Sequence, residues 1–241
     1  MNLYLVRHGL STWNVSGRLQ GWANTDLTPE GFEQAQRTAE FFSDFAQRQR
    51  MRFYALYSSP LLRAWLTAHA IGDRLGLVPI PVDDLREMQG GAVEGLRREE
   101  WQRRYPELIP GWSDRKNLDF GWPGGETRRA FRNRCMRAIS EIVAQHKSYD
   151  NIIVVTHGGV IKAYLNSAGL DDPMGPRSYE ADNCSVTHIQ FMGSDTADDR
   201  GGEIWSVGCL RIFNQVEHLR DEDSDVDDEL VATARADLAL Q

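Results

Sequence analysis

An apolar run close to the amino terminus constrains the fold of this chain more than any other feature. Residues 3–6 (Leu-Tyr-Leu-Val) are followed at once by Arg7, His8 and Gly9. A run of β-forming residues that stops at glycine predicts a buried strand, with the two basic side chains on the loop at its carboxyl end. Open α/β sheets bind their ligands at that edge. The run therefore predicts a strand that presents Arg7 and His8 to a ligand, although a histidine in isolation is more often structural.

Predicted helices and strands alternate along most of the remaining chain. Thr28, Pro29 and Glu30 combine an N-cap, a first-turn proline and an acid that suits the helix dipole, and apolar residues then recur at helical spacing over 29–48. Periodicity predicts further helices over 59–75, 97–104, 130–143 and 159–167, and strands over 53–57, 78–82, 152–155, 185–192 and 204–213. Residues 105–125 are rich in proline, glycine and tryptophan, which indicates an irregular insertion.

This order of elements predicts an α/β fold. Helices between strands imply crossover connections and a mainly parallel sheet. The last two predicted strands flank residues 198–202, which suit a hairpin turn and hence an antiparallel pair. We expect a three-layer α/β/α sandwich with a mainly parallel sheet and one antiparallel edge strand. The domain is predicted to cover residues 1–217, with a lid-like insertion at 96–125, and to precede an acidic tail at 218–241.

Composition disfavours several classes of protein. The formal net charge of −8 argues against general binding to nucleic acid. No apolar run approaches the roughly 18 residues that a membrane-spanning helix needs, and the amino terminus lacks the pattern of a cleaved signal. Cys135, Cys184 and Cys209 are too few and too widely spaced to indicate a disulfide framework or a zinc site. We therefore predict a cytoplasmic protein without a membrane partner. A homodimer is compatible with the sequence, which does not otherwise indicate an oligomeric state.

Alternating acids in residues 221–229 are similar to a calcium-binding loop. Such a loop needs glycine at its sixth position and an acid at its twelfth, where this chain has Val226 and Ala232. A solvated acidic linker, leading into a short helix over 229–240, is therefore the preferred interpretation.

Four segments that are far apart in the sequence carry chemically useful side chains. They contain Arg7 with His8, Arg63 in residues 58–68, Glu87 in 85–95, and His157 in 155–160. Together they resemble the histidine phosphatase superfamily, also called phosphoglycerate mutase-like. The resemblance extends to Ser11-Thr12-Trp13-Asn14, Gly17-Arg18-Leu19-Gln20-Gly21 and Asp26-Leu27-Thr28-Pro29-Glu30-Gly31. It follows the family's order over residues 3–160 and implies a phosphoglycerate mutase-like fold.

The resemblance implies catalytic roles for Arg7, His8, Arg63, Glu87 and His157. A neutral imidazole carries a free lone pair near pH 7, so His8 can attack phosphorus. Arg7 and Arg63 can each fork onto two phosphoryl oxygens, and a protonated His157 would add a third positive donor, so that neither a metal nor a cofactor is needed. Expelling the alcohol as an anion is costly, which makes Glu87 the predicted general acid and afterwards the base that activates water.

Two points about these residues stay open in the sequence. Glu94 lies seven residues after Glu87 in the same loop and competes with it for the role of the acid, although the family's pattern favours Glu87. Five further positions match residues that touch phosphate or substrate in family members: Ser11, Asn14, Gln20, Gly21 and Gly158.

Three functions are compatible with the resemblance. The first loop is close to the cofactor-dependent phosphoglycerate mutases. Residues 87–90 (Glu-Met-Gln-Gly) depart from the mutase pattern, and residues 123–127 (Pro-Gly-Gly-Glu-Thr) instead resemble the phosphatase branch. We therefore predict a phosphatase acting on small phosphorylated molecules, with a mutase as the alternative. A catalytically inactive relative that binds phosphorylated ligands is the third hypothesis, although all five catalytic groups are present.

The insertion at 96–125 is the predicted determinant of substrate choice. It carries six basic residues among aromatic ones, namely Arg97, Arg98, Arg103, Arg104, Arg115 and Lys116 among Trp101, Tyr105, Trp112, Phe120 and Trp122. A basic, aromatic lid would favour an anionic or ring-bearing leaving group. The alternative, held equally, is an apolar seam that packs the segment onto the sheet while the arginines stay solvated.

Overall fold

A six-stranded sheet organises the structure, a computed structural model that describes residues 1–148, 150–175, 178–197, 203–205 and 208–220. The strands are β1 (Asn2–Arg7), β2 (Ala55–Ser58), β3 (Ile80–Pro81), β4 (Asn151–Thr156), β5 (Val186–Gln190), β6 (Gly193–Ala197), β7 (Glu203–Trp205) and β8 (Cys209–Gln215). The helices are α1 (Thr12–Val15), α2 (Pro29–Arg48), α3 (Leu62–Leu75), α4 (Arg98–Arg104), α5 (Ile109–Ser113), α6 (Arg128–Ala144) and α7 (Gly158–Leu165).

The strand order in the main sheet is β3-β2-β4-β1-β5-β8. The four strands from β3 to β1 are parallel, whereas β5 runs antiparallel to both β1 and β8. The predicted fold class is therefore confirmed, and the reversed strand lies one position in from the edge that β8 forms. Strands β6 and β7 pair with each other in a separate two-stranded sheet, so the strand predicted over 204–213 is in fact two strands. The hairpin turn predicted at 198–202 lies outside the described residues.

Side chains alternate between the two faces of β1, and this alternation creates the three layers. Leu3 and Leu5 pack in one core cluster with residues of α6 and α7, while Tyr4 and Val6 pack in a second cluster with residues of α2 and α3. Successive strand residues point to opposite faces of the sheet, and the apolar sides of the helices cover each face.

The helices begin close to where the sequence predicts them. Thr28 caps α2 by accepting a hydrogen bond from the backbone N–H of Gly31 at 3.0 Å. Helix α3 begins at Leu62 rather than 59, because Ser59 accepts from the N–H of Leu61 and forms the preceding turn. The insertion is more regular than predicted, since it contains α5 and a 3₁₀ turn at Pro106–Leu108. Within the described residues, no helix combines the length and apolarity that crossing a membrane requires.

The first residues of the predicted tail pack against the domain. His218 lies in a 3₁₀ turn, stacks on Phe41 with ring centroids 4.9 Å apart, and pairs with Thr38 at 3.1 Å. Arg37 donates to the carbonyl of Leu219 at 2.9 Å. This contact makes residues 217–220 part of the α2 surface. The calcium-like stretch and the rest of the tail, 221–241, lie outside the described residues.

His188 on β5 gives a prediction for stability against pH. Its ring stacks on Tyr4 with centroids 4.6 Å apart, and burial, with Arg211 and the amino terminus adding to it, lowers the pKa of His188 to about 4. The unfolded chain, with a pKa near 6.5, takes up this proton first as the pH falls, so stability is lost between about pH 6.5 and 4. We expect His188 to contribute about 2 kcal/mol to the difference in unfolding free energy between pH 7 and pH 5.

Urea unfolding at both pH values of the wild type and of His188→Gln checks this expectation. The glutamine keeps a donor for Asn2, whose Oδ1 lies 2.9 Å from His188 Nε2, but cannot titrate. The variant should therefore lose less stability on acidification than the wild type. An equal loss in both proteins would contradict the assignment.

Candidate active site

The two histidines meet because β1 and β4 are neighbours in register. Arg7 is paired with Thr156 at the carboxyl ends of these strands, and the N–H of His8 donates to the Thr156 carbonyl at 2.9 Å. The next residue along β4 is His157. Its ring lies 5.2 Å from that of His8 between centroids, and both side chains are buried. The structure therefore brings the first and fourth predicted segments together at one edge of the sheet.

Hydrogen bonding determines which nitrogen of His8 carries the proton. Nδ1 lies 2.8 Å from the carbonyl oxygen of Gly9, which can only accept, so Nδ1 is the protonated nitrogen. Burial, followed by the charges of Arg63 and Arg7, lowers the pKa of His8 well below its usual value. His8 is thus a neutral imidazole with its lone pair on Nε2, which faces Arg63 Nε at 3.3 Å.

Two arginines flank this imidazole. Arg63 is only 1% exposed, and its two terminal nitrogens donate to the carbonyls of Gly21 and Ala23, each at 2.9 Å. Burial lowers the pKa of Arg63 to about 10, so the side chain remains charged near pH 7. Arg7 donates to the carbonyl of Ala181 at 2.6 Å, while its Nε is buried without a partner among the described residues. Both guanidinium groups donate to backbone carbonyls, and the carboxylate of Glu87 is the nearby charge that most favours their protonated forms.

The surroundings of His157 bear on its charge, which the sequence interpretation left open. Its pKa is lowered well below the usual value by burial first and then by Arg63, His8 and Arg7, so the ring is neutral near pH 7 rather than a third positive donor. Nε2 lies 2.8 Å from the hydroxyl of Ser59. Nδ1 is buried and has no hydrogen-bond partner in the described part of the chain. A dianionic phosphoryl group beside the ring would raise this pKa again.

Glu87 is held against the helix that follows His157. One carboxylate oxygen accepts the backbone N–H of Gly159 at 3.0 Å, and the other accepts that of Met88 at 2.8 Å. A Cβ at residue 159 would lie 2.1 Å from Glu87 Oε1, so a larger residue there would displace the Glu87 carboxylate from this position. The structure therefore brings the predicted acid to the two histidines.

Glu94, the competing acid, has a different environment. A single oxygen of its carboxylate accepts the backbone N–H groups of Trp22 and Gly90, at 2.8 and 2.9 Å. Glu94 thereby connects the loop after Gly21 to the loop at 85–95 that carries both acids. Gly21 has a φ of +49° and no room for a Cβ next to the Glu94 carboxylate. This arrangement gives Glu94 a structural function and favours Glu87 as the acid.

Arg134 on α6 braces the loop that carries Glu87. Its guanidinium donates to three backbone carbonyls of this loop, those of Asp84, Arg86 and Glu87, at 2.8, 2.8 and 3.2 Å. It also forms an ion pair with Glu126, whose carboxylate accepts the N–H of Gln89 at 2.9 Å. Glu126 belongs to the Pro-Gly-Gly-Glu-Thr stretch, which served the sequence interpretation only as a mark of the phosphatase branch. No motif in the sequence indicates Arg134.

We expect Arg134→Lys to slow turnover of alkyl phosphates by about 10- to 100-fold. A lysine ammonium cannot replace the five N–H donors of the planar guanidinium, so the loop would loosen and Glu87 would shift. Turnover of p-nitrophenyl phosphate, whose leaving group needs no proton, should fall much less. Steady-state kinetics on both substrates and thermal unfolding of both proteins check this. Arg137→Lys is the matched control, since Arg137 is exposed and pairs with Asp84 at the surface. Equal losses on the two substrates would contradict the positioning of Glu87 by Arg134.

The five predicted substrate-binding residues fall into two groups. Ser11, Asn14 and Gln20 are hydrogen-bonded to one another, with the Ser11 hydroxyl 2.8 Å from Asn14 Oδ1 and 2.9 Å from Gln20 Oε1. Ser11 also caps α1, so it orders the loop, and the amide NH₂ groups of Asn14 and Gln20 remain as donors. Gly21 holds Arg63 through its carbonyl, and Gly158 begins α7 in contact with Arg7.

Asn183 was missed by the sequence interpretation. It donates to the carbonyl of His8 at 2.9 Å and approaches Asn14 Oδ1 at 3.4 Å. The loop before β5 therefore holds the backbone of His8. Among the described residues, no group of three His, Cys, Asp or Glu side chains is arranged to hold a metal ion.

A cavity of about 870 Å³ begins at Glu87. Its lining includes Gln20, Gly21, Glu87 and Gly159, together with residues of the insertion and of the first turns of α6. Glu87 is the one residue of the predicted catalytic five in this lining; Arg7, His8, Arg63 and His157 are not part of it. Glu87 thus connects a space large enough for a small organic molecule with Gly159, two residues after His157.

Comparison with known proteins identifies relatives with this architecture. The family model for the "Histidine phosphatase superfamily (branch 1)" matches residues 3–199. Phosphoglycerate mutase-like protein 4 of Arabidopsis thaliana is 31% identical over 91% of this chain and 87% of its own. Putative phosphoserine phosphatase 2 of Hydrogenobacter thermophilus is 31% identical over 79% and 90%, respectively. Proteins named 2,3-bisphosphoglycerate-dependent phosphoglycerate mutase also match, at 29% and 30% identity.

A solved structure adds a comparison in three dimensions. Mycobacterial glucosyl-3-phosphoglycerate phosphatase, determined with VO3, superposes with a TM-score of 0.68 and 28% sequence identity. The superposition covers 89% of this chain and 99% of the other.

Proposed function

The chain belongs to the histidine phosphatase superfamily, and from this membership we propose that it is a metal-independent phosphatase that hydrolyses phosphate monoesters through a phosphohistidine on His8. Glu87 is the general acid in this proposal. The observation that carries it is the 2.8 Å contact between Nδ1 of His8 and the Gly9 carbonyl, which assigns the proton to Nδ1 and leaves the lone pair on Nε2, where Arg63 Nε donates at 3.3 Å. Relatives named as phosphatases of phosphoserine and of glucosyl-3-phosphoglycerate support hydrolysis of phosphate esters.

In the first step, His8 Nε2 attacks phosphorus, so that a P–N bond forms while the ester P–O bond breaks. Arg7 and Arg63 bind the equatorial oxygens, on which the negative charge is spread. The unpaired Nδ1 of His157 supplies a further donor. Glu87 transfers its proton to the departing ester oxygen, which leaves as an alcohol.

In the second step, the Glu87 carboxylate removes a proton from water as the water oxygen attacks the phosphohistidine. A P–O bond forms, the P–N bond breaks and its electron pair returns to His8 Nε2. Inorganic phosphate leaves, and Glu87 is again protonated for the next cycle. The amide donors of Asn14 and Gln20 are proposed to bind the phosphoryl group in both steps.

The alternative function is a cofactor-dependent phosphoglycerate mutase, which the mutase relatives and the mutase-like first loop favour. One assay separates the two. Phosphate release is measured from p-nitrophenyl phosphate, 3-phosphoglycerate and sugar phosphates, with and without 2,3-bisphosphoglycerate, together with formation of 2-phosphoglycerate. We expect phosphate release without 2-phosphoglycerate. Isomerisation that depends on the bisphosphate would establish a mutase, and no turnover of any ester would favour the inactive relative.

Two organisational predictions accompany this function. We propose a single catalytic domain at 1–217, with the insertion at 96–125 closing over the cavity and the tail at 218–241 following it. We also propose a cytoplasmic location, which the three cysteines support because all are free thiols, two of them buried.

A further inference from the structure

The structure bears on both interpretations of the insertion, the basic lid and the apolar seam. Its aromatic residues form a small core of their own, in which Val93, Trp101, Phe120 and Trp122 are buried. Among the six basic residues of the insertion, only Arg115 lines the cavity within the described part of the chain. The aromatic residues therefore pack against one another and not onto the sheet, as the seam interpretation expected, and the basic character of the cavity arises largely outside the insertion.

The cavity is strongly cationic in a chain that carries a net charge of −8. Along its described walls it is lined by five basic side chains against two acids: Arg18, Arg115, Arg128, Arg132 and Lys162 against Glu87 and Glu180. A local surplus of positive charge in a concave site attracts anions even when the whole protein repels them.

Three of the five basic side chains are already used by the protein. Arg128 donates to four carbonyls of the insertion, those of Gly111, Trp112, Asp114 and Asn117. Arg18 binds the carbonyl of Gly95 and pairs with Glu100, and Lys162 pairs with Glu180. These three side chains stabilise the fold through the contacts just described, so they are less available to bind a ligand.

Arg132 is different, because it makes no hydrogen bond or ion pair to any residue that the structure describes. It is half-buried on α6, one turn after Arg128 and next to Phe131, and all three line the cavity. Arg115 faces the same space from the insertion, where its guanidinium stacks on Trp112 at 4.5 Å from the ring centroid. Stacking fixes the plane of that guanidinium and leaves the N–H groups at its edge available.

We propose that Arg132, with Arg115 opposite, binds a second anionic group, a carboxylate or a phosphate, carried by the leaving alcohol. The cavity is too large for a phosphoryl group alone, and Glu87, the proposed donor of a proton to the leaving oxygen, is part of its lining. The aromatic wall of Trp112, Trp122 and Phe131 contacts the carbon skeleton between the two anions. Guanidinium forks match both carboxylate and phosphate geometry. This inference rests on the proposed function, since it assigns the substrate class of the same site.

Matched ligand pairs test the proposal. 3-Phosphoglycerate and glycerol 3-phosphate differ by one carboxylate, and fructose 1,6-bisphosphate and fructose 6-phosphate differ by one phosphate. Dissociation constants are measured by calorimetry in the His8→Ala background, where the esters stay intact, and kcat/KM is measured in the active protein. We expect at least tenfold preference for the more anionic member of one pair. A preference within the first pair would identify the second anion as a carboxylate, and one within the second pair as a phosphate.

Arg132→Gln should reduce this preference at least tenfold in both measurements. The control is Arg103→Gln, which removes the same charge from an exposed position of α4 outside the cavity lining and should keep the wild-type preference. Equal affinities within both pairs, or a preference that Arg132→Gln leaves intact, would overturn the subsite even if ester hydrolysis proceeds normally. Conversely, a lost binding preference in a protein that hydrolyses no ester would support the subsite and reject the proposed function.

Discussion

Replacing His8 with alanine is expected to abolish phosphate release from every ester, by on the order of 10³-fold or more, because the attacking atom is removed. The loss should be the same for good and poor leaving groups. Phosphate release by steady-state assay gives the rate. Labelling with a radioactive substrate, quenched in alkaline detergent, shows whether the protein carries phosphate that is stable to base and released by acid, as a phosphohistidine is. Wild type should be labelled, and His8→Ala should not.

His188, a half-buried histidine on β5, provides the control for this experiment. His188→Gln removes an imidazole that stacks on Tyr4 and bonds Asn2 at the opposite end of β1, away from His8. It should retain labelling and turnover near those of the wild type. Labelling of the His8→Ala protein at His157 would instead make His157 the nucleophile.

The sequence predicts which side chains gather at the site better than it predicts how they are arranged. The apolar run ending in Arg7 and the one ending before His157 each place a histidine at a strand's carboxyl end, and the family resemblance orders the segments. That resemblance is confirmed by the family match. Their adjacency depends on β1 and β4 being neighbours in the sheet, which is decided by the packing of helices on both faces and not by any local pattern.

Features that depend on long-range backbone contacts could not be predicted. Glu87 and Glu94 lie in the same loop, and their environments differ because Glu87 accepts the N–H of Gly159 whereas Glu94 accepts that of Trp22. Arg134 has no local signal, since its acceptors are carbonyls 47 to 50 positions away along the chain. The neutral state of His157 likewise follows from burial beside two arginines, which requires the assembled site.

Glu87→Ala is expected to lower kcat/KM by an amount that depends on the leaving group of the substrate. Alkyl phosphates, whose alcohols need a proton as they depart, should lose about 10²- to 10⁴-fold in kcat/KM. p-Nitrophenyl phosphate should lose far less in the first step, because its phenolate leaves without a proton. Alanine is preferable to glutamine here: both carboxylate oxygens accept backbone N–H groups, so a glutamine NH₂ would face an N–H.

Glu94→Ala separates this effect from a general disturbance of the loop. It removes the bonds to Trp22 and Gly90, so it should lower the melting temperature and reduce turnover of both kinds of substrate by similar factors. Kinetics on a series of aryl and alkyl phosphates would then show a steeper dependence on leaving-group basicity for Glu87→Ala than for Glu94→Ala or wild type. If the two variants gave the same dependence, neither carboxylate would be the proton donor. Of the two carboxylates in the described cavity lining, Glu180 pairs with Lys162, whereas Glu87 accepts the N–H of Gly159, two residues after His157. Glu87 is therefore the carboxylate that we propose to reach both the phosphorus and the departing alcohol.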